Sequence, residues 1–487
     1  MSKLNRRDFM KSSVMAGAAV AMAAPYSKVR GANDEIRIAV VGVGGQGSGH
    51  CKYFNNAKGA RVVAVCDADQ GHIDRRVDDF KKNGQTIKGY KDVRKLLEDK
   101  GIDAITSATP NHWHSLVTIW ACQAGKDVYI EKPVSHNIWE GRKMVEAARK
   151  YDRIVQTGTQ KRSDGGLMAA YKYVQDGNLG AIKWSRGFCY KARFKGTNGE
   201  VKGTNGPNPV SDNIDYNLWC GPADMEPLRR QSLHYKWHWV WNTGCGDLGN
   251  QGIHEMDLAR WALGDPNHLA PRVMSIGGRL GIDDAGETAN TQIIFLDYKP
   301  APLIFEVRGL PVEKGRRDMP NFRGIRIGMV IQCEDGYFAG GGGGGWAYTN
   351  DGEKIKQFRG EGGGSHHQNF VDAVRAHDVG VLNADIEKGH LSSALCHMGN
   401  VSYRIGKEMS VSDIKDSIDN ADLMDSFERM VEHLKANEVD LDKDHITMGP
   451  MLNMDPKTEM FVGDMSDMAN MYVKRNYREP FVVPEKV

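Results

Sequence analysis

Three short stretches hold side chains whose types and spacing suit proton transfer. Lys132 stands in YIEKP, directly after an apolar run, and can donate a hydrogen bond to a hydroxyl oxygen. His254 stands in GCGDLGNQGIHEMDLARWALG, and a histidine near its reference pKa is a natural general base for oxidising an alcohol. TPNHWH, residues 109–114, adds further polar side chains. Helical spacing leaves a second interpretation of His254 open, because it shares a face with Leu258 and Trp261 and could be a core residue.

A glycine-rich turn lies near the start of the chain. EIRIAVVGV is a continuous apolar run, typical of a strand buried on both faces. GVGGQG occupies residues 42–47 and opens a helical stretch, and the next predicted strand, RVVAVCD, ends at Asp67. A lone GxGxxG motif is a weak signal. Here a strand precedes it, a helix follows it, and an acidic residue comes 25 positions after Gly42, so the context is specific for a dinucleotide.

The same turn indicates which dinucleotide would bind. The pyrophosphate would rest on the helix N-terminus, and the Asp67 carboxylate would accept hydrogen bonds from the adenosine ribose hydroxyls. Because a carboxylate repels a 2′-phosphate, the sequence favours NAD over NADP. The alternative is a dinucleotide fold that has lost its ligand.

Alternating strands and helices must position these groups. Apolar runs at IDAITSA and KDVYIEKP are separated by helical stretches such as SLVTIWACQAG, which predicts a parallel sheet with right-handed crossovers. Ligands of open α/β sheets sit beyond the carboxyl ends of the strands. We therefore expect both TPNHWH and EKP to lie beside the nicotinamide.

The order of the motifs resembles that of the Gfo/Idh/MocA oxidoreductases. The shared features are GxGxxG, the strand-end Asp67, TPNHWH, EKP and GxxxxHxxDxxRW, over roughly residues 35–410. The resemblance implies an N-terminal Rossmann domain with a parallel sheet and a C-terminal α+β domain with an open, mainly antiparallel sheet. It also implies hydride transfer between NAD(P) and a hydroxyl of a sugar or cyclitol.

The resemblance assigns roles to particular residues. The family lysine falls on Lys132 and the family histidine on His254, while Asn250 stands where the family has an aspartate. An amide cannot accept a proton, so a carboxylate-assisted relay is in doubt, although Asp247 or Asp257 could substitute. The expected catalytic residues are Lys132 and His254, and the expected substrate contacts are Lys132, Trp237, His238, Asn250 and His254. The expected cofactor contacts are Gly42, Gly44, Gly45, Gln46, Gly47, Asp67, Thr109, Pro110, Asn111, His114, Glu131 and Lys132.

The second half of the chain gives weaker signals. IKWSRGFCYKARF, residues 182–194, predicts the first strand of the second sheet. In HYKWHWVWN, Tyr235, Trp237, Trp239 and Trp241 recur with period two, which predicts an extended segment with an aromatic face for a sugar ring, a core or a subunit interface. The six glycines 340–345 predict a mobile surface loop. HEMDL lacks the second histidine of a zinc motif and DLDKD lacks key calcium ligands, so no metal site is expected.

The N-terminus predicts export. NRRDFMK precedes a short apolar run that closes on Ala-Met-Ala at residues 21–23, typical of a twin-arginine signal peptide. An uncleaved tail is the alternative. Cleavage after Ala23 would change the formal net charge from +2 to −1, so the charge does not indicate nucleic-acid binding. The apolar run is too short for a membrane anchor. The eight cysteines include no CxxC pair and are expected to be buried thiols.

These observations predict a periplasmic enzyme that keeps NAD tightly bound and moves hydride to or from a secondary hydroxyl, at C3, of a sugar or glycoside. One alternative is an NAD-dependent glycosidase that uses transient C3 oxidation, elimination, hydration and re-reduction. A non-enzymatic alternative is a cofactor-loaded sugar-binding protein. We expect a homo-oligomer. Each chain is expected to have four segments: signal peptide and linker 1–33, Rossmann domain 34–158, substrate domain 159–410 and C-terminal extension 411–487.

Overall fold

The computed structural model describes residues 35–487, so the signal-peptide prediction lies outside the described residues. A six-stranded parallel sheet has the order β3-β2-β1-β4-β5-β6. Its strands are β1 Ile36–Val41, β2 Ala60–Cys66, β3 Lys88–Tyr90, β4 Ala104–Ser107, β5 Asp127–Ile130 and β6 Val155–Thr157. The helices between and after them are α1 Gly45–Asn56, α2 Gln70–Lys82, α3 Val93–Glu98, α4 His114–Gln123, α5 Ile138–Lys150 and α6 Gly165–Gln175. This confirms the predicted Rossmann-like domain, whose strand order reverses between β1 and β4.

The second sheet has twelve strands among the described residues, in the order β14-β13-β12-β11-β7-β10-β9-β8-β16-β15, with β17 pairing β8 and β18. Only the β7–β10 pair of this sheet is parallel, which confirms a mainly antiparallel sheet. Its strands are β7 Ile182–Tyr190, β8 Arg272–Gly278, β9 Thr291–Leu296, β10 Leu303–Arg308, β11 Ile327–Cys333, β12 Gly336–Gly341, β13 Gly344–Thr349, β14 Lys354–Arg359, β15 Lys407–Met409, β16 Ile446–Met448, β17 Leu452–Asp455 and β18 Met460–Val462.

The remaining helices cover this sheet and join it to the first domain. They are α7 Tyr216–Cys220, α8 Ile253–Ala262, α9 His366–Ala376, α10 Ile386–Arg404, α11 Val411–Asp416, α12 Ala421–Ala436 and α13 Ser466–Asn470. Helix α12 packs Phe427 and Met430 against Phe295 of β9, so it covers one face of the sheet. At the other end of the extension, Phe481 and Val483 pack into the core of the first domain.

The glycine run was predicted wrongly as a mobile loop. Residues 340 and 341 end β12, residues 344 and 345 begin β13, and the two strands form a hairpin. A Cβ on Gly345 would lie 2.4 Å from the Ala339 carbonyl oxygen, and Gly343 and Gly344 have φ of 97° and 100°. The glycines therefore permit close strand approach and a tight turn.

The aromatic stripe was also predicted wrongly as an extended segment. Residues Lys236–Trp239 form a 3₁₀ helix, and Tyr235 before it has a φ of 63°. A 3₁₀ turn has three residues per turn, so side chains two positions apart do not share a face. All eight cysteines, which lie within the described residues, are buried free thiols. None of the helices within residues 35–487 combines the length and hydropathy that crossing a bilayer requires.

Candidate functional site

A cleft of about 800 Å³ lies at the carboxyl ends of the parallel strands and extends to the second domain. It is lined by every predicted site residue except Gly47, so the structure brings together groups up to 212 positions apart in the sequence. Those lining residues are Gly42, Gly44, Gly45, Gln46, Asp67, Thr109, Pro110, Asn111, His114, Glu131, Lys132, Trp237, His238, Asn250 and His254.

The glycine turn is shaped to let a ligand reach the backbone. Gly42 has a φ of 77°, and a Cβ there would lie 2.7 Å from the Thr109 nitrogen. A Cβ on Gly47 would lie 1.8 Å from the Gly42 carbonyl oxygen, so Gly47 shapes the turn without lining the cleft. A Cβ on Gly45 meets no protein atom within 4 Å, which leaves its side open to the cleft. This cradle and the helix N-terminus beside it fit a dinucleotide pyrophosphate.

Asp67 lies at the end of β2, as expected for a ribose acceptor. Its Oδ2 accepts hydrogen bonds from the Val43 nitrogen over 2.8 Å and from His72 Nδ1 over 3.3 Å, and its Oδ1 accepts one from the Asp69 nitrogen over 3.0 Å. These contacts orient the carboxylate and leave a lone pair on Oδ1 for a hydroxyl. In the same cleft, the buried Asn111 Oδ1 has no partner among the described residues and is a further acceptor for a ligand.

Glu131 and His114 hold the EKP turn in place. Glu131 Oε1 accepts hydrogen bonds from His50 Nε2 over 3.0 Å and Gln46 Nε2 over 3.1 Å. Burial alone would raise the pKa of Glu131, but the His50 hydrogen bond and the Lys132 charge outweigh it and hold that pKa well below its usual range. The His114 ring bridges the carbonyl oxygens of Pro133 and Thr109, over 2.6 and 2.8 Å. TPNHWH and EKP are thus fixed to each other.

Lys132 and His254 meet at the far end of the cleft. Lys132 follows β5, and its Nζ donates to the Asn250 carbonyl oxygen over 3.2 Å, in the π-helical turn Leu248–Gly252 that leads into α8. His254, in the first turn of α8, is partly exposed to the cleft. Burial, followed by the charges of Lys132 and Lys161, lowers the pKa of His254 well below its ordinary value. The imidazole is therefore neutral near pH 7 and able to accept a proton.

The two aspartates that could have replaced the family carboxylate are used elsewhere. Asp247 accepts hydrogen bonds from Arg193 over 2.6 Å and from Trp239 Nε1 over 3.0 Å. Asp257 pairs with Arg162 over 2.8 Å. Both aspartates are buried and neither lines the cleft, so Asn250 has no carboxylate substitute among them.

The aromatic segment contributes two side chains to the lining of the cleft. Trp237 stacks on His238 with ring centroids 3.6 Å apart, and both rings line the cleft. His238 Nδ1 lies 2.6 Å from the Tyr235 carbonyl oxygen, so this nitrogen carries the proton and Nε2 is left as an acceptor. Burial lowers the pKa of His238 to about 3. Trp239 is fully buried, and Trp241 does not line the cleft.

Sequence reasoning missed several lining residues. Lys191 directly follows β7, and its Nζ donates to Gln251 Oε1 over 2.8 Å beside His254. It lies within residues 182–194, which the sequence predicts as one continuous strand, so its position in the sequence does not single it out. Gln160, His72, His234 and the segment 361–364 also line the cleft, and no motif singles them out.

Comparison with known proteins places these domains in a family. Residues 36–159 match the model described as "Oxidoreductase family, NAD-binding Rossmann fold", and residues 171–299 match its "C-terminal alpha/beta domain". Together the two models cover just over half of the chain. Residues 3–23 match the twin-arginine translocation signal sequence, so the chain carries a signal for that export route.

Two kinds of curated relative align with part of the chain. "Glycosyl hydrolase family 109 protein 2" from Shewanella sp. (strain ANA-3) is 30% identical over 176 residues, covering 31% of this chain and 39% of the relative. "Inositol 2-dehydrogenase" from Salmonella typhimurium is 30% identical over 159 residues, covering 32% and 46%. The chain thus spans less than half the length of these curated relatives.

Solved structures share the fold over most of the chain. The WlbA dehydrogenase from Bordetella pertussis, in complex with NADH and UDP-GlcNAcA, is 19% identical with a TM-score of 0.55, covering 76% of this chain and 97% of that one. An oxidoreductase from Agrobacterium radiobacter, in complex with NAD⁺, L-tartaric acid and magnesium, is 17% identical with a TM-score of 0.54, covering 74% and 94%. With its NAD-binding Rossmann domain, its C-terminal domain and the motifs that line its cleft, the chain belongs to the Gfo/Idh/MocA oxidoreductase family.

Proposed function

We propose that this protein transfers hydride between tightly bound NAD and a secondary hydroxyl, at C3, of a sugar or glycoside. The observation that carries the proposal is the convergence of Lys132, His254 and the glycine turn on one cleft. NAD, when bound, supplies the hydride acceptor and donor. The Gly42–Gly47 turn and Asp67 would hold its pyrophosphate and ribose.

Residues of the chain itself would transfer the proton of the substrate hydroxyl. For oxidation, neutral His254 would accept the proton of the substrate hydroxyl as hydride leaves the carbon that bears this hydroxyl. The Lys132 ammonium would donate a hydrogen bond to the hydroxyl oxygen. Both steps reverse when a ketone is reduced. A base whose pKa is lowered by burial and by nearby lysines stays unprotonated at neutral pH, as this role requires.

The substrate end of the cleft is suited to a polyhydroxylated ring. Trp237 offers an aromatic face for the apolar C–H surface of a pyranose. His238 Nε2 is an acceptor, and the Asn250 side chain and Lys191 offer donors. The names of the relatives, one a glycosyl hydrolase and one an inositol dehydrogenase, likewise suggest a polyhydroxylated ring as the substrate class.

The export signal gives the proposal a further constraint. The twin-arginine route carries folded proteins, so NAD could be loaded before export to the periplasm. Little free NAD is present there, so the bound molecule would have to be retained and regenerated in place. An external or sugar-derived hydride acceptor would reoxidise the bound cofactor in place.

A second candidate is a closed cycle in which the hydride returns to the substrate. Oxidation at C3 makes the C2 proton acidic, the aglycone leaves by elimination, water adds, and the ketone is reduced again, which gives net glycoside hydrolysis. The similarity of part of the chain to a family 109 glycosyl hydrolase favours this candidate.

A panel of glucosides and galactosides with the purified holoprotein separates the candidates. A keto-sugar identified by mass, with the absorbance of reduced nicotinamide, supports the dehydrogenase. Aglycone release without net reduced nicotinamide supports the glycosidase. Sugar binding with neither product would contradict both and leave a binding protein.

A further inference from the structure

Three potential metal ligands meet at the edge of the cleft beside Asp67. Asp69 caps the N-terminus of α2, His72 lies in its first turn, and His234 comes from the long connection between β7 and α8. Their nearest ligand atoms all lie within 4.8 Å of one another. The Asp69 Oδ2 atom lies 3.0 Å from His234 Nε2 and 3.8 Å from His72 Nε2.

Two of the three ligands, Asp69 and His72, are oriented by a second contact. Asp69 Oδ1 accepts a hydrogen bond from the Gly71 nitrogen over 2.8 Å, which leaves Oδ2 facing the histidines. His72 Nδ1 lies 3.3 Å from Asp67 Oδ2, which leaves Nε2 facing Asp69. A carboxylate behind a histidine in this way is the usual outer-shell arrangement at protein zinc sites, because it fixes the ring and its tautomer.

We propose that Asp69, His72 and His234 bind one divalent transition-metal cation of the zinc type, with a fourth position open to the cleft. Two imidazoles and one carboxylate form a ligand set that zinc accepts. With bonds of about 2.0–2.1 Å, neighbouring ligands of a tetrahedral zinc are about 3.4 Å apart. The two separations from Asp69, 3.0 and 3.8 Å, lie on either side of that value and all three ligand atoms lie within 4.8 Å of one another, so side-chain rotations would complete the site.

The cation would link the two domains at a seam that already exists. Asp69 and Ile214 form an isolated antiparallel bridge, the Gln70 nitrogen donates to the Asn213 carbonyl over 2.9 Å, and the Asp215 nitrogen donates to the Ala68 carbonyl over 2.9 Å. His234 belongs to the same connection as residues 213–215. A metal at this point would therefore cross-link the connection to the cofactor domain. No local sequence motif encodes such a site, because its ligands are up to 165 positions apart.

Tag-free full-length holoprotein, stripped with a chelator, is titrated with Zn²⁺ by calorimetry, and bound zinc is counted by elemental analysis. We expect one Zn²⁺ per chain and a higher melting temperature when it is bound. His234→Ala and Asp69→Asn should each weaken binding by more than the roughly 10–100-fold typical of losing an outer-shell partner. His377→Ala is the matched control, because His377 pairs with Asp152 over 2.9 Å without a third ligand. The affinity of His377→Ala for Zn²⁺ should equal that of the wild type.

X-ray absorption of the wild-type protein loaded with Zn²⁺ tests the ligand set without any substitution, so a variant that fails to fold cannot obscure the result. Two imidazoles and an oxygen ligand are expected. The proposal is overturned if the wild type binds no stoichiometric Zn²⁺, if both ligand variants bind as the wild type does, or if the bound zinc lacks two imidazoles. A network held only by hydrogen bonds among Asp67, Asp69 and the two histidines would give the first of these results.

Discussion

The side-chain nitrogen of Lys132 donates a hydrogen bond over 3.2 Å to the backbone carbonyl oxygen of Asn250. This contact joins the carboxyl end of a parallel strand in the first domain to the turn before α8 in the second. Because His254 lies one helical turn beyond Asn250, the same contact places the lysine and the histidine at the same end of the cleft. The proposed chemistry depends on this junction.

Removing either proton-handling group should abolish most of the activity while the protein stays folded. We expect Lys132→Met and His254→Gln each to lower the rate of NAD reduction by roughly 10²–10⁴-fold, the usual range for a general acid or base. Single-turnover absorbance with bound NAD measures this rate. Lys172→Met is the control, because Lys172 is an exposed lysine paired with Asp176 on α6. Full activity in both site variants would show that the site is wrongly assigned.

Asn250→Asp should move the pH dependence of the reaction. The pKa of His254 is lowered by burial and by lysine charges, so the wild-type rate should fall only when the pH drops well below 6.5. A carboxylate at position 250 favours the imidazolium, and an opposite charge nearby shifts a pKa by about 1–3 units. In Asn250→Asp the acidic limb of the kcat/KM pH profile should therefore move to higher pH than in the wild type. Asn250→Ser adds no charge and should leave the limb at the lower pH of the wild type. An unchanged limb in Asn250→Asp would exclude His254 as the titrating base.

Alanine substitution at Gly45 and at Gly47, two glycines of the same turn, should affect stability differently. Gly47→Ala places a Cβ 1.8 Å from the Gly42 carbonyl oxygen, so the turn must shift, at a cost of about 1–3 kcal/mol in the free energy of unfolding. Gly45→Ala meets no protein atom within 4 Å and should leave the stability of the NAD-free protein unchanged. If the pyrophosphate rests on this turn, both variants should retain less NAD after gel filtration. Undiminished NAD in both would place the cofactor elsewhere.

Buried histidines should make the protein less stable in mild acid. Burial lowers the pKa of His112, His238 and His397 to about 3. Their pKa in the unfolded chain is near 6.5, so between that value and the folded pKa the unfolded state binds more protons, and stability falls as the pH falls. Each such histidine contributes a slope of about 1.4 kcal/mol per pH unit in that window.

Urea unfolding at pH 7, 5.5 and 4.5 measures this dependence. His397→Asn removes one of the buried histidines and should make the dependence shallower. A free energy of unfolding that stays constant from pH 7 to 4.5 would mean that these side chains are protonated in the folded state.

The first domain could be predicted in detail because local sequence determines it. The buried strands are continuous apolar runs, and GVGGQG, TPNHWH and EKP each follow a strand at the same edge of the sheet, so parallel topology alone brings them together. The second domain offers no such rule, because most of its cleft residues come from the long irregular connection between β7 and α8, and others come from α8 and from residues 361–364. Lys191 and His234 reach the cleft through tertiary contacts that no local pattern encodes.

Two predictions failed for identifiable physical reasons. Period two in Tyr235–Trp241 indicates a strand only if the backbone is extended, and the positive φ of Tyr235 turns the chain into a 3₁₀ helix instead. Six glycines have low strand propensity, yet the hairpin needs them where a Cβ would strike the neighbouring backbone. In the hairpin, close packing of neighbouring strands in the second sheet outweighs the local preference.

Isotope transfer tests the central claim most directly. The holoprotein is incubated with a glycoside that carries deuterium on C3, and the nucleotide is then released and analysed by mass spectrometry. We expect deuterium on the nicotinamide of the bound cofactor, and transfer roughly 10²–10⁴-fold slower in Lys132→Met. Formation of the keto-sugar with no deuterium in the nucleotide would contradict hydride transfer from C3 to NAD.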